Sequence, residues 1–239
     1  MSLRHTLNAI LAAIIAPPCA VCGRVLDTPL EGAVCGSCWD AIVPRSSGFA
    51  LGTIAAARAI GPYETTLRDV VHALKYDKRR SIAVRLAAMM ATEARDILTG
   101  ADFVVPVPLH RQRHRERGFN QAEELARHLP VAMRPVLKRV RATRPQIDLP
   151  ANERRNNVNG AFALRRFLRR PPGVSLIRPS SETRIDQAEA RPLLGYTIVL
   201  VDDVATTGAT LEACARVLKA AGAGEVRALT AARVVSGPS

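Results

Sequence analysis

Apolar residues along this chain form two kinds of pattern. Over residues 65–76 and 81–98 they recur at helical spacing, which predicts two amphipathic helices. The runs at 103–108 and 198–201 are continuous and predict strands buried on both faces, and 225–234 predicts a last strand. Because strands that alternate with helices form parallel sheets, the pattern predicts an α/β fold with helices flanking a parallel sheet.

The N-terminal segment also has helical spacing. Its apolar side chains are expected to share one face and to dock the helix on the protein: Leu3, Leu7, Ile10, Leu11 and Ile14. A short apolar stretch behind Arg4 resembles an export signal as well, but Asn8 interrupts it. No apolar run reaches the roughly 18 residues that a membrane-spanning helix needs. We therefore expect a docking helix in a cytoplasmic protein with no membrane span.

The cysteines follow a metal-binding spacing. Cys19 and Cys22 form one pair, and Cys35 and Cys38 form a second pair after twelve intervening residues. Each pair can place two thiolates on one ion, and two pairs complete a tetrahedral site. An iron–sulfur centre and a redox pair are the alternatives. We predict that the four cysteines bind one zinc ion. Because four protein ligands leave no open coordination position, this ion would be structural and not catalytic. The fifth cysteine, Cys214, is read as a core residue of a helix.

Charge adds a second feature. The 239 residues include 34 Lys and Arg against 21 Asp and Glu, a net charge of +13. Residues 111–170 hold 16 basic and 5 acidic residues, so nearly all of the excess lies there. Such a block attracts polyanions, either phosphorylated small molecules or nucleic acid, although a solvated basic surface is the simpler alternative. Aromatic residues make up only 4%, which predicts few stacking platforms for single-stranded nucleic acid.

The strand at 198–201 leads into the strongest candidate site. Asp202 and Asp203 follow it directly and suit hydroxyl groups or a metal ion. A hydroxyl-rich turn comes next and precedes a helix, where unpaired N–H groups can bind a phosphate: Ala205, Thr206, Thr207, Gly208, Ala209 and Thr210. A nucleoside triphosphatase would need a Gly-Lys pair in its phosphate-binding loop, and the sequence contains none.

A second anion site is predicted after the strand at 103–108. Residues 109–117 are read as a loop rich in basic side chains, among them Arg111, Arg113, Arg115 and Arg117. His110 and His114 either contact a phosphate or are merely solvated. Asn120 has the position of an N-cap for a helix over 121–129. Two anion sites at one sheet edge, with carboxylates between them, are therefore expected.

Breaks in the pattern divide the chain. Proline, serine and glycine cluster between residues 44 and 62, so we expect an N-terminal module at 1–48 and a larger domain at 49–239. Residues 165–192 are basic and rich in proline and predict a flexible insertion in that domain.

The acid pair and the threonine turn resemble the ribose-phosphate signature of type I phosphoribosyltransferases. With the cysteine pairs, further segments in the same order resemble the competence protein F (ComF) family: Leu74-Lys75-Tyr76, Val105-Pro106-Val107-Pro108, Arg117-Gly118-Phe119-Asn120-Gln121-Ala122-Glu123, Arg144-x-Gln146, Arg155-x-Asn157-Val158 and Gly160-Ala161-Phe162. Two features depart from that family. The 165–192 segment is longer and more basic than its usual link, and four cysteines imply one zinc ion and not two.

The resemblance implies a role for each part of the site. Asp202 and Asp203 would contact the ribose hydroxyls of phosphoribosyl pyrophosphate, and the turn from Ala205 to Thr210 would hold its 5′-phosphate. Arg111, Arg113 and Arg117 would lie at the pyrophosphate position, with Mg²⁺ bridging pyrophosphate and ribose. Whether the protein turns substrate over is left open by the sequence, as is the acceptor.

Two functions follow from these patterns. The first is a phosphoribosyltransferase-like protein that binds phosphoribosyl pyrophosphate, or a related ribose phosphate, with Mg²⁺ and acts in DNA uptake during natural transformation. The second is a non-catalytic accessory protein that binds single-stranded DNA or DNA-uptake proteins and keeps the fold for binding alone.

Overall fold

A computed structural model describes residues 3–15, 17–76, 79–141, 160–165 and 191–235. Two of the motifs noted above, around Arg144 and Arg155, lie outside these residues. Nearly all of the predicted insertion at 165–192 lies outside them too.

The core of the fold is a five-stranded sheet in the order β1-β2-β7-β6-β3. Its strands are β1 (Ser47–Leu51), β2 (Ile54–Pro62), β3 (Phe103–Pro106), β6 (Thr197–Ala205) and β7 (Glu225–Arg233). β1 pairs antiparallel with β2, and the other three pairings are parallel. Two short strands, β4 (Leu137–Arg139) and β5 (Phe162–Leu164), form a separate antiparallel pair. The predicted α/β fold with a mostly parallel sheet is confirmed.

Eight α-helices and a short 3₁₀ turn at Pro29–Glu31 surround the sheet in the described part of the chain. They are α1 (Leu3–Ile15), α2 (Gly36–Asp40), α3 (Thr65–Tyr76), α4 (Ile82–Glu93), α5 (Arg95–Leu98), α6 (Arg111–Arg117), α7 (Gln121–Arg127) and α8 (Ala209–Ala220). The helix predicted at 65–76 is confirmed with those bounds. The helix predicted at 81–98 is interrupted at Ala94, whose φ of −124° and ψ of 37° leave the helical region.

The sheet separates two hydrophobic layers, as expected for strands buried on both faces. Side chains of β6 alternate between them: Val199 and Val201 pack with α3 and α4, while Ile198 and Leu200 pack with α8 and the β4–β5 pair. Both layers are continuous from the strands to the helices. The carboxyl ends of the parallel strands therefore meet at one edge, with a helical layer on each side.

Helix α1 does not dock through the apolar face that its spacing predicted. Leu3 and Ile14 are 84% and 78% exposed, and Leu7 and Ile10 are about half exposed. Among the α1 residues whose burial is described, the buried one is Asn8, whose Oδ1 accepts a hydrogen bond from the Leu30 backbone N–H at 2.9 Å. The prediction was wrong because a specific polar contact, and not apolar burial, attaches the helix.

The N-terminal segment shares a core with the sheet. Cys19, Cys38 and Trp39 belong to the same buried cluster as Val71 of α3 and Leu86 of α4. On the outside of this contact, the Arg85 guanidinium lies 5.1 Å from the centre of the Trp39 ring. The cysteine region is therefore packed against the layer that carries α3 and α4. Among the described residues, no helix is both long and apolar enough to cross a membrane.

Candidate functional site

The acid pair lies inside strand β6 and not after it. The sequence predicted that the strand ends at Val201, yet β6 continues to Ala205 and Asp202 pairs in register with Thr230 of β7. The strand is longer because β7 offers pairing partners as far as Arg233. Both acidic residues consequently have their backbone within the strand, which fixes the direction of their side chains.

The two carboxylates lie in different layers, since successive side chains of a strand point to opposite faces. Asp203 lies on the side of α3, where its Oδ2 is 3.2 Å from the Lys75 Nζ. The side chains of both partners are only 14% exposed. Asp202 lies on the side of α8 and β4, within the electrostatic influence of Arg139 and Cys214. Lys75 and Arg139 thus place a cation on each side of the acid pair.

The ionisation of Asp202 reflects this position. Burial raises the pKa of Asp202, and repulsion by the Asp203 carboxylate raises it further, to about 8, against smaller opposing effects of Lys75 and Arg139. Burial lowers the pKa of Arg139, as does the nearby positive charge of Arg113. Burial also raises the pKa of Cys214, which is fully buried in α8 as predicted and behaves as a core residue.

The 205–210 turn leads from β6 into helix α8. Gly208 has a φ of +74°, in the left-handed region that favours glycine, and α8 begins at the next residue. Thr207 is exposed and its Oγ1 accepts a hydrogen bond from the Ala209 N–H at 3.4 Å. Ala205, Gly208 and Ala209 are buried, whereas Thr206 and Thr210 are half-buried. The turn therefore presents its threonines and keeps its small residues inside.

The β1–β2 hairpin supports this turn. A Cβ added to Gly208 would lie 2.3 Å from Cδ2 of Leu51, so the Leu51 side chain sits directly on the glycine. At the tip of the hairpin, the Thr53 N–H donates to both carboxylate oxygens of Glu212 at 3.0 Å, and the Thr53 hydroxyl donates to the same group. Glu212 lies in the first turn of α8. The hairpin thus fixes the start of the helix that follows the turn.

The predicted basic loop contains a helix. His110 is the N-cap of α6, where its Nδ1 accepts a hydrogen bond from the Gln112 N–H at 3.3 Å, and Gly118 ends the helix with a φ of +80°. Arg113 and Arg117 are four residues apart, half-buried, and face the acid pair across a cleft. Arg111, in the first turn of α6, is exposed and is not among the residues that line this cleft.

The segment after α6 holds the cleft wall in place. Phe119 is buried beneath Arg80, whose guanidinium is 5.3 Å from the ring centre. Asn120 is the predicted N-cap of α7: its Oδ1 accepts from the Ala122 N–H at 3.2 Å, and its Nδ2 donates to the Val107 carbonyl at 3.0 Å. Gln121, which is 1% exposed, accepts a hydrogen bond from Arg117 at 2.9 Å.

These elements enclose one cleft at the carboxyl edge of the sheet. It is lined by Lys75, Val107, Pro108, Leu109, Arg113, Arg117, Asn120, Gln121, Arg139, Asp202, Asp203, Val204 and Thr210. Four cationic side chains face two carboxyls, so the cleft attracts an anionic ligand that also has groups for the acid pair to contact. Of the site residues predicted from the sequence, Asp202, Asp203, Thr210, Arg113 and Arg117 lie together here.

Two cleft residues were missed by the sequence. Lys75 was noted only as part of a motif, and its approach to Asp203 could not be read from positions so far apart in the chain. Arg139 lies where neither a helix nor a strand was predicted, whereas it ends strand β4. Its only sequence signal was membership of the basic block.

The four predicted metal ligands come together in the N-terminal region. The sulfur atoms of Cys19, Cys22, Cys35 and Cys38 all lie within 4.8 Å of one another. The Cys19 Sγ accepts hydrogen bonds from the N–H groups of Val21 and Cys35, at 3.5 and 3.3 Å, which stabilise a thiolate. Hydrogen bonds from Arg24 lower the pKa of Cys22 to about 6. This four-cysteine cluster could bind a zinc ion.

Comparison with known proteins finds a matching protein family and several relatives. Residues 115–238 match the family model described as phosphoribosyl transferase domain. DNA utilization protein YhgH of Salmonella typhimurium is 30% identical over 222 residues, which cover 89% of this chain and 77% of the relative. The chain belongs to the competence protein F (ComF) family. Competence protein F of Haemophilus influenzae is 28% identical over 91% of this chain and 85% of its own. Competence protein ComFC of Bacillus subtilis is 28% identical over 84% and 70%.

In this ComF-family chain the region that matches the family model is shorter than the domain that contains the sheet. The match begins inside α6 and covers Arg117, Asp202 and the 205–210 turn. Lys75 and Arg113 of the cleft lie before it, as does strand β2, which pairs with β7. The cleft is therefore completed by residues that precede the matched phosphoribosyl transferase region.

Proposed function

We propose that this protein binds phosphoribosyl pyrophosphate, or a related ribose phosphate, together with Mg²⁺ in the cleft. The observation that carries the proposal is the placement of an acid pair beside a threonine turn, with Arg113 and Arg117 facing both. Such a ligand has a sugar with hydroxyl groups between two phosphorylated ends. In the cleft, the acid pair likewise lies between the threonine turn on one side and Arg113 and Arg117 on the other. The membership of the phosphoribosyl transferase family supports the same ligand.

In this proposal Asp202 and Asp203 accept hydrogen bonds from the ribose 2′- and 3′-hydroxyls. The turn from Ala205 to Thr210 binds the 5′-phosphate through N–H groups and hydroxyls, and Arg113 and Arg117 bind the pyrophosphate. Arg111 contributes only long-range charge, since it is exposed on α6. Transfer at the anomeric carbon passes through an oxocarbenium-like state, so the protein orients the sugar and stabilises the departing pyrophosphate.

The acid pair also fits a Mg²⁺ ion, because carboxylate oxygens are the hard ligands that this ion prefers. When bound, the ion would neutralise charge between pyrophosphate and ribose. The chain itself provides Lys75 and Arg139 on either side of the acid pair. These cations limit the repulsion between the two carboxylates before any ligand arrives.

Calorimetric titration with phosphoribosyl pyrophosphate and MgCl₂ tests the proposal. Asp203→Ala is expected to lower the affinity by about 100-fold, since a hydrogen bond to a charged group is worth about 1.5–3 kcal/mol. Asp69→Ala is the matched control, because Asp69 is an exposed partner of Arg68 on α3, away from the cleft. Equal binding by wild type and Asp203→Ala, with both proteins folded, would exclude the proposed site. Pyrophosphate release with candidate bases would then show whether binding leads to transfer.

We also propose that the protein acts in DNA uptake or handling, as the names of its relatives suggest. A non-catalytic protein that binds single-stranded DNA is the alternative to a transferase. The observation that favours DNA binding is the basic block at 111–170, part of which forms α6. If phosphate contacts carry the binding, the affinity for a single-stranded oligonucleotide must fall steeply with added salt. An affinity that is insensitive to salt would contradict this mechanism.

For the N-terminal region we propose one structural zinc ion in the four-cysteine cluster. We further propose that residues 1–48 form the metal-binding module and 49–239 the transferase-like domain, with the 165–192 insertion within it. In support, all four cysteines precede residue 39, and the strands of the main sheet lie between 47 and 233.

A further inference from the structure

Gln121 differs from every other polar residue of the cleft wall in being 1% exposed. Its two amide ends can be told apart by their surroundings. Arg117 Nη1 lies 2.9 Å from one end, and because a guanidinium only donates hydrogen bonds, that end must be the carbonyl oxygen. The other end is therefore the NH₂ group, a donor.

This donor has no hydrogen-bond partner in the part of the chain that the structure describes. A buried donor without an acceptor destabilises a fold, so native proteins rarely keep one unless it serves another purpose. Asn120, the neighbouring amide, provides the contrast. Both of its ends are used within the protein, by the Ala122 N–H and the Val107 carbonyl. Asn120 thus has a structural role, whereas the NH₂ group of Gln121 is buried in the cleft wall without an acceptor among the described residues.

The surroundings of Gln121 define the chemistry of that ligand. The residue lines the cleft together with Arg113, Arg117 and Lys75, all of which are cationic. A ligand atom that accepts a hydrogen bond beside three cations is best an anionic oxygen. The positive charge of these three side chains can balance more than one phosphate group. Gln121 lies on the α6 side of the cleft and not at the 205–210 turn, so the ligand group concerned is a diphosphate and not a sugar 5′-phosphate.

Gln121 also positions the arginine beside it. Its carbonyl oxygen and the Tyr76 hydroxyl, at 3.5 Å, both accept from the Arg117 guanidinium, which lies 5.1 Å from the centre of the Tyr76 ring. One side chain therefore orients a cation through its oxygen and presents a neutral donor through its nitrogen.

We propose that Gln121 is a ligand-binding residue that donates from its side-chain amide to a diphosphate oxygen while its carbonyl holds Arg117 in line with the same group. The proposal rests on the function proposed above and assigns to Gln121 the recognition of the pyrophosphate end. It predicts that this residue discriminates diphosphate ligands from ribose 5-phosphate.

The test uses the full chain and three probes: phosphoribosyl pyrophosphate, inorganic pyrophosphate and ribose 5-phosphate, each with MgCl₂. Gln121→Met keeps the length of the side chain and removes both polar ends. It is expected to weaken both diphosphate ligands by 10- to 100-fold and to change ribose 5-phosphate binding by less than about 2-fold, as one charge-assisted hydrogen bond predicts. Gln112→Met is the control, because Gln112 is exposed on α6 and its side-chain amide donates to Glu116, outside the cleft.

Gln121→Glu covers the case in which the methionine variant fails to fold. It keeps the oxygen that accepts from Arg117 and replaces the donor by an acceptor, so a folded protein with diphosphate binding weakened still further is expected. Equal diphosphate binding by wild type and the two Gln121 variants would overturn this inference alone. Failure of the wild type to bind any of the three probes would overturn the proposed function and this inference together. Binding of inorganic pyrophosphate that depends on Gln121, without binding of phosphoribosyl pyrophosphate, would support Gln121 and exclude the proposed substrate.

Discussion

The four-cysteine cluster takes all its sulfur atoms from residues 19–38, whereas the cleft gathers side chains from positions 75 to 210. In the cluster, two short turns bring the ligands together. In the cleft, Lys75 meets Asp203 only because α3 packs on the sheet that contains β6. The geometry of the first site is therefore determined by local spacing and that of the second by the topology of the whole domain.

The two sites also differ in what their loss should do. Cys19 and Trp39 belong to the core that includes α3 and α4, so the cluster is part of what holds the fold together. Substitutions at the cluster should lower the stability of the whole protein, whereas truncation of a cleft side chain such as Asp203 should mainly lower the affinity for a ligand.

The largest effect is expected from Cys22→Ala. Cys22 is exposed, so its truncation removes no packed core, and a destabilisation above about 4 kcal/mol can come only from the lost metal. Metal content by mass spectrometry and the free energy of unfolding in denaturant measure both consequences.

Cys214→Ala is the control for that variant, since Cys214 is buried in α8 away from the cluster. It should keep its metal and lose only the packing of one small side chain. A Cys22→Ala protein that keeps the metal content of the wild type would contradict the ligand assignment.

An intermediate effect is expected from Gly208→Ala in the 205–210 turn. Alanine in the left-handed region costs about 1–3 kcal/mol, and its Cβ would also displace Leu51 of the hairpin. Denaturant unfolding should therefore show a larger loss than in Gly118→Ala, because Gly118 has a φ of +80° but nothing within 4 Å of an added Cβ. Equal losses in the two variants would mean that the hairpin does not support the turn.

The third effect, expected from Asp202→Asn, depends on pH and vanishes below pH about 4. The pKa of Asp202 is raised to about 8 in the folded protein, against about 3.9 in the unfolded chain. Between these values the folded protein binds more protons, so the stability of the wild type should fall as the pH rises from about 4 to about 8.

Asp202→Asn should remove that fall, which a series of denaturant unfolding curves across the pH range measures. The gain in unfolding free energy of the variant over the wild type is therefore absent below pH about 4 and complete above pH about 8. A variant whose stability changes with pH as steeply as the wild type would show that Asp202 does not titrate in this range.

The contrast between the two sites also explains how much could be predicted from the sequence. The cluster and the acid pair with its turn are contiguous, so spacing alone was enough to find them. Lys75 and Arg139 reach the cleft from distant elements, and no local pattern distinguishes them from surface cations. Helix α6 was read as a loop although His110 and Gly118 were both visible, because a histidine N-cap is an uncommon signal beside a run of arginines.

The N-terminal helix shows a different limit. Its apolar spacing was read as a docking face, but periodicity does not reveal whether a surface exists for that face to cover. One amide, Asn8, forms the attachment to Leu30, and a single polar contact leaves no periodic trace in the sequence.

The position of β7 has a consequence for how the chain is made. Among the five strands of the sheet this one comes last in the chain, yet it lies between β2 and β6. Until residues 225–233 leave the ribosome, both neighbours lack the partner on that side, and their apolar faces stay open to other chains. The sheet therefore closes only after β7 has been made, and a chain that stops short of β7 should be a substrate for chaperones and not a smaller version of the protein.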